Sequence, residues 1–76
     1  MEEVFKGLKF MIIHDFVEKE LEYFRKECNF TEDELKYFNL KAKGKTNIFI
    51  AMEMNVSERT VNNISKKVKK KIIKVL

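Results

Sequence analysis

The sequence predicts an all-α fold of four helices, in which a long N-terminal helix precedes a three-helix core. Proline is absent from the 76 residues and glycine occurs only at Gly7 and Gly44, which disfavours a turn-rich β fold. Apolar residues recur at helical spacing in several long segments. A hydrophobic fraction of 45% beside 37% charged residues fits a folded helical domain with one core.

The first predicted helix runs from about Glu3 to Cys28. Its apolar side chains cover about half of the helix circumference, which is wide for a helix that packs against one neighbour. We therefore expect residues 1–30 to cover the core formed by residues 31–76 and to form a homodimer through the remaining apolar surface. The apolar residues are Phe5, Leu8, Ile12, Ile13, Phe16, Val17, Leu21, Tyr23, Phe24 and Cys28.

The second predicted helix begins after Thr31 and ends at about Lys43. Thr31 and Glu34 have the spacing of a capping box, in which each side chain binds the other residue's backbone N–H. Gly44 supplies the left-handed residue that stops the helix. We expect Phe30 to pack against Leu35 as a hydrophobic staple. The expected packing residues are Leu35, Phe38, Leu40 and Ala42.

The third and fourth predicted helices are separated by a short turn. Thr46 is a favourable N-cap for a helix from Asn47 to about Met54, and Ser57 caps a helix from Glu58 to about Lys74. Asn55 lies in the turn, where asparagine tolerates positive φ. The buried stripe of the fourth helix is predicted to be Val61, Ile64, Val68, Ile72 and Val75, whereas Ile73 falls on the charged side.

Charge is distributed unevenly along the chain. Residues 57–76 carry seven Lys and Arg against Glu58, whereas residues 1–30 have a net charge of −2. The last helix therefore carries all of the chain's net positive charge, which favours an anionic partner.

Catalytic and metal chemistry finds little support in the sequence. The only cysteine, Cys28, excludes an intrachain disulfide, and on one helix it lies about 21 Å from His14. We expect Cys28 in the core and His14 at the surface or in an interface, with no catalytic residues, metal or cofactor. The absence of a basic leader and of a long apolar run predicts a cytoplasmic protein that does not bind membranes.

Residues 31–76 resemble the helix-turn-helix of LuxR-type regulators and of region four of bacterial sigma factors. Two positions depart from the family pattern: Asn55 replaces a common glycine, and Ile48-Phe49 replace polar residues. Ile48 and Phe49 are expected either to pack against the N-terminal helix or to form a contact surface. The residues that carry the resemblance are Thr31, Glu34, Gly44, Ile50-Ala51, Met54, Val56 through Val61, and Ile64.

This resemblance implies a sequence-specific transcriptional regulator that binds double-stranded DNA and inserts helix 58–74 into the major groove. The outward face of that helix supplies the expected contacts, because arginine pairs well with guanine and asparagine with adenine. The expected base contacts are Arg59, Asn62 and Asn63. The expected phosphate contacts are Thr46, Asn47, Ser57, Thr60, Lys66, Lys67, Lys70 and Lys74.

Two alternatives compete with this function. One is a sigma-like or anti-sigma-like adaptor that uses the same fold to bind RNA polymerase or another protein. The other is a non-catalytic protein whose lysine-rich helix binds RNA or an anionic membrane. The membrane alternative is disfavoured, because the apolar stripe of the fourth helix is needed for the core.

Overall fold

The structure is a computed structural model that describes residues 13–76, in which a short 3₁₀ helix, Ile13–Asp15, precedes four α-helices. These are α1 (Glu18–Glu27), α2 (Glu32–Ala42), α3 (Asn47–Met54) and α4 (Glu58–Val75). Residues 13–76 contain no strand, and the all-α prediction is confirmed. The ends of α2, α3 and α4 lie within one residue of their predicted positions.

The starts of α2 and α3 follow from their N-cap residues. The Thr31 hydroxyl accepts a hydrogen bond from the Glu34 N–H at 3.3 Å, and the Glu34 carboxylate accepts one from the Thr31 N–H at 3.0 Å. The predicted capping box is therefore confirmed. The Thr46 hydroxyl accepts from the Phe49 N–H at 3.1 Å. Each cap satisfies a backbone donor that a helix N-terminus would otherwise leave unpaired.

The prediction of one continuous helix from Glu3 to Cys28 is wrong, because the chain is not helical at Val17. This residue has an extended backbone, with φ −75° and ψ 162°, and α1 begins at the next residue. The Glu20 carboxylate accepts a hydrogen bond from the Val17 N–H at 2.9 Å, which stabilises a helix start at this point. The part of the predicted helix before Ile13 lies outside the described residues.

The core lies between α4 and the other helices. The side chains with the least exposure are Tyr37, Phe38, Ile50, Ile72, Val61 and Val68. The predicted stripe of α4 is confirmed, because Val61, Ile64, Val68 and Ile72 are buried and Val75 packs against the core. Phe38 lies at the centre of an aromatic group, with its ring centroid 6.4 Å from that of Phe24 and 5.0 Å from that of Phe30.

Two packing predictions for α2 need correction. Leu35 was expected in the core and against Phe30, yet it is 36% exposed and Phe30 contacts Phe38. Tyr37, which the apolar pattern did not include, is buried instead and hydrogen-bonds with Ser65 of α4. Burial raises the pKa of the Tyr37 phenol, although the hydrogen bond with Ser65 opposes this shift. A polar partner on α4 thus allows a tyrosine to occupy the core.

The C-terminal end of α4 is attached to α1 by a single hydrogen bond. The Tyr23 hydroxyl donates to the Val75 carbonyl at 3.0 Å. Carbonyl groups in the last turn of a helix have no partner within the helix. Tyr23 satisfies one of them and keeps about half of its own surface exposed.

A buried ion pair joins α2 to α4. The Glu34 carboxylate is buried and binds the Lys71 ammonium, which also donates to the Asn29 carbonyl at 3.3 Å. Burial alone raises the pKa of Glu34, but the hydrogen bonds from Lys71 and Thr31 outweigh it. The net result is a pKa below the ordinary value of 4.5.

This lowered pKa makes the stability of the fold dependent on pH. The stabilisation by Glu34 is present above the unfolded-state pKa of 4.5 and is lost as the pH falls through the lower folded-state pKa. Glu34→Gln should therefore lower the free energy of unfolding by about 1 kcal/mol at pH 7 and by much less at pH 3. Urea unfolding of both proteins at the two pH values measures this difference. Glu32→Gln, at an exposed carboxylate of the same helical turn, is the control; an equal pH dependence there would contradict the prediction.

Candidate nucleic-acid interface

A three-residue turn connects α3 and α4 and sets the angle between them. Asn55 has φ 58° and ψ 46°, so the predicted left-handed conformation is confirmed. Its N–H and that of Val56 both donate to the Ala51 carbonyl, which closes the end of α3. The Ser57 hydroxyl accepts from the Thr60 N–H at 3.1 Å and starts α4 immediately afterwards. The result is a compact helix-turn-helix.

Small and apolar side chains hold the two helices together. Ile50 and Val61 are fully buried, and Ala51 is 6% exposed. The small Ala51 side chain allows the two helices to approach each other closely. Val56, one of the residues that carry the family resemblance, lies in the turn and is 37% exposed. The crossing therefore depends on the helical residues and not on the turn residue.

The side of α4 opposite its buried stripe forms an exposed cationic face. The helix has 18 residues, which corresponds to a length of about 27 Å. Ile73 also lies on this face and is 36% exposed, as predicted. The exposed polar residues of the face are Arg59, Asn62, Asn63, Lys66, Lys67, Lys70 and Lys74. All seven were predicted contacts, and the structure brings them together on one side of one helix.

Lysine residues near this face differ in their surroundings. Lys71 is directed away from the face by its ion pair with Glu34. Lys69 is half-buried at the flank and lies close to Lys41 of α2. Burial lowers the pKa of Lys41, and the positive charge of Lys69 lowers it further. Lys41 thus adds positive charge beside α4, a placement that the sequence could not reveal because it depends on tertiary packing.

Polar side chains at the starts of α3 and α4 already take part in hydrogen bonds within the protein. The Ser57 and Thr60 hydroxyl oxygens are 3.0 Å apart, so one hydroxyl donates to the other and one hydroxyl hydrogen is left for another acceptor. The Asn47 side-chain amide donates to the Asn62 Oδ1 at 3.3 Å. Thr46 is exposed beside Asn47. These groups lie next to the cationic face, where a phosphate backbone would pass.

An apolar patch, Ile48-Phe49-Met52, occupies the exposed side of α3. The three side chains are 60%, 39% and 77% exposed, and the Lys45 ammonium lies 5.0 Å from the Phe49 ring centroid. Ile48 and Phe49 are exposed in the described part of the chain. Both expectations, packing against the N-terminal helix and formation of a contact surface, stay predictions, because residues 1–12 lie outside that part.

Other kinds of site find no support in residues 13–76. Cys28 is buried as predicted, and burial raises the pKa of its thiol, while the Lys71 charge opposes the shift. The side chain of His14 lies outside the described part. In this range, no three His, Cys, Asp or Glu side chains are grouped as metal ligands would be. No described helix has the length and apolar character needed to cross a membrane.

Comparison with known proteins identifies one family. Residues 29–73 match the family described as "Bacterial regulatory proteins, luxR family". The match covers α2, α3 and α4 and begins where α1 has ended. Neither a curated protein nor a solved structure matches the chain.

Proposed function

Because this chain belongs to the luxR family of bacterial regulatory proteins, we propose that it regulates transcription by inserting α4 into the major groove of specific DNA sites. The family consists of DNA-binding regulators and not of enzymes. The observation that carries the proposal is the cationic face of α4, which begins at the helix-turn-helix and stays clear of the core. A major groove about 12 Å wide admits such a helix.

The proposed base contacts lie in the first two turns of α4. Arg59, Asn62 and Asn63 are all exposed there, and they are the polar side chains of the face nearest to the turn. In helix-turn-helix proteins this end of the second helix contacts base edges. Arginine can donate two hydrogen bonds to guanine, and asparagine can pair with adenine.

The proposed phosphate contacts surround these base contacts. Lysine residues later in α4 extend along the groove, while hydroxyl and amide groups at the helix starts lie beside it. Such contacts fix the position of a protein on DNA without recognising sequence. The proposed residues are Thr46, Asn47, Ser57, Thr60, Lys66, Lys67, Lys70 and Lys74.

Two alanine variants test the division between base and phosphate contacts. Arg59→Ala should relax the preference at one base pair by about 1–3 kcal/mol. Lys70→Ala should weaken binding to all sequences by a similar factor and leave the preferences intact. Selection from a random DNA pool, followed by gel-shift titration of the selected and a scrambled duplex, measures both effects.

The outcomes of this experiment distinguish the proposal from its alternatives. Absence of binding to any duplex at low salt would overturn the DNA-binding function. Binding without sequence preference would overturn the function as a sequence-specific regulator and would leave an accessory DNA-binding function. Both side chains are exposed, so thermal unfolding of the two variants should match that of the unmodified protein and serves as the control.

An adaptor function is the second candidate, and the apolar patch Ile48-Phe49-Met52 on α3 favours it. Exposed apolar groups of this kind are common in protein contacts. RNA polymerase is one partner that such an adaptor would bind. The homodimer expected through the N-terminal helix also stays a prediction, supported by the exposure of Val17 and Tyr23.

A further inference from the structure

The hydrogen bond between Asn47 and Asn62 links the first residue of α3 to the second turn of α4. Its geometry fixes which atoms of each amide are engaged. Asn47 donates through Nδ2, while its own Oδ1 is buried without a hydrogen-bond partner. This arrangement directs the Nδ2 donor of Asn47 at the Asn62 carbonyl oxygen, 3.3 Å away.

This donor determines what Asn62 presents to the DNA. The Asn62 Oδ1 faces α3, where it accepts the hydrogen bond from Asn47. The NH₂ group of Asn62 lies in the same amide plane on the other side of the Cβ–Cγ bond, so it points away from Asn47 and can donate two hydrogen bonds. Asn62 is exposed on the cationic face, so this donor group is the part that a base edge would meet.

The two purines differ in how they match such a donor group. Guanine presents two acceptors in the major groove, N7 and O6, whereas adenine presents the N7 acceptor and the N6 amino donor. The usual pairing of asparagine with adenine requires the carbonyl oxygen and the NH₂ group to face the base together. With its Oδ1 held towards α3, Asn62 offers donors alone, and guanine is the better match.

We propose that Asn47 is a positioning residue that orients the Asn62 amide and so makes guanine, not adenine, the base preferred at the Asn62 contact. The inference rests on the proposed function, since it concerns the base preference of α4 in the major groove. It gives Asn47 a role in addition to the phosphate contact proposed above. Asn63, the adjacent exposed asparagine, lies about 100° further around α4 on the same face and keeps its proposed adenine contact.

Base selection by matched variants tests the proposal. Selection from a random duplex pool is carried out with the unmodified protein and with Asn62→Ala, Asn47→Ala and Asn47/Asn62→Ala. The base pair at which Asn62→Ala loses its preference identifies the Asn62 contact. There, the unmodified protein should prefer guanine over adenine, and Asn47→Ala should reduce that ratio by about fivefold or more. When Asn62 is already alanine, Asn47→Ala should not change the base preference further.

The remaining outcomes would overturn the proposal in distinguishable ways. If Asn47→Ala weakens all sequences alike and leaves the base preference unchanged, Asn47 is a phosphate contact only, and the proposed function still stands. A preference for adenine at the Asn62 contact of the unmodified protein would overturn the role proposed for Asn47 and leave the proposed function standing. Selection of no sequence by the unmodified protein would instead overturn the proposed function, and the role of Asn47 with it. Preference at the Arg59 contact and the thermal unfolding temperature serve as controls that should not change.

Discussion

Truncation of Phe38 to alanine is expected to lower the free energy of unfolding by about 3–5 kcal/mol. Phe38 is fully buried, and its ring lies between those of Phe24 and Phe30, with the Arg25 guanidinium 5.8 Å from its centroid. Removal of the ring leaves a cavity between α1 and α2. At roughly 0.05–0.15 kcal/mol per residue, a domain of this length has a total stability of about 4–11 kcal/mol. The variant should therefore lose a large share of its stability and unfold at a much lower urea concentration than the unmodified protein.

Urea unfolding followed by circular dichroism measures this loss. Phe49→Ala is the matched control, because it removes the same side chain from a position that is 39% exposed on α3. We expect the control to cost about 1 kcal/mol or less. Equal losses in the two variants would contradict the placement of Phe38 at the centre of the core.

Binding to DNA is expected to weaken steeply as salt concentration rises. If Lys66, Lys67, Lys70 and Lys74 each neutralise one phosphate, the slope of log K against log salt is about −3.6 per chain. An increase from about 50 to 200 mM salt then lowers affinity by about 150-fold. The physical reason is the release of counterions from the duplex when lysine side chains replace them.

Gel-shift titrations of the unmodified protein and of a Lys66/Lys70→Ala double variant measure the contribution of two lysines. The double variant should reduce the magnitude of the slope by about 1.8. Lys19→Ala is the control, because Lys19 is exposed on α1, outside the helix-turn-helix. A slope that changes as much in the control as in the double variant would show that the lysine contacts with phosphate are not confined to α4.

Local sequence signals predicted the starts of α2, α3 and α4 and the buried stripe of α4. Thr31, Thr46 and Ser57 act as N-caps because the hydrogen bonds they accept reach only three residues along the chain. The spacing of Val61, Val68 and Ile72 likewise depends on helical geometry alone. The exposed residues of α4 that are proposed as DNA contacts followed from the same spacing, since they are the complement of that stripe.

Pairings between distant residues could not be predicted in this way. Glu34 and Lys71 are 37 positions apart, and Asn47 and Asn62 are 15 apart, so each pairing depends on how the helices cross. From the sequence, Glu34 was predicted only as a capping residue and Asn47 only as a phosphate contact. The helix break at Val17 was missed because apolar periodicity continues through it, although Glu20 three residues later is a capping signal.

The hydrogen bond from Tyr23 to the Val75 carbonyl has a consequence for the entropy of association. The last turn of a helix frays readily, and ordering a frayed turn on a ligand reduces affinity. Because Tyr23 binds the last turn of α4 to α1, the backbone that carries the lysines is ordered before any duplex binds. The tyrosine thus preorganises α4 from a distance, and only the lysine side chains still lose freedom on contact.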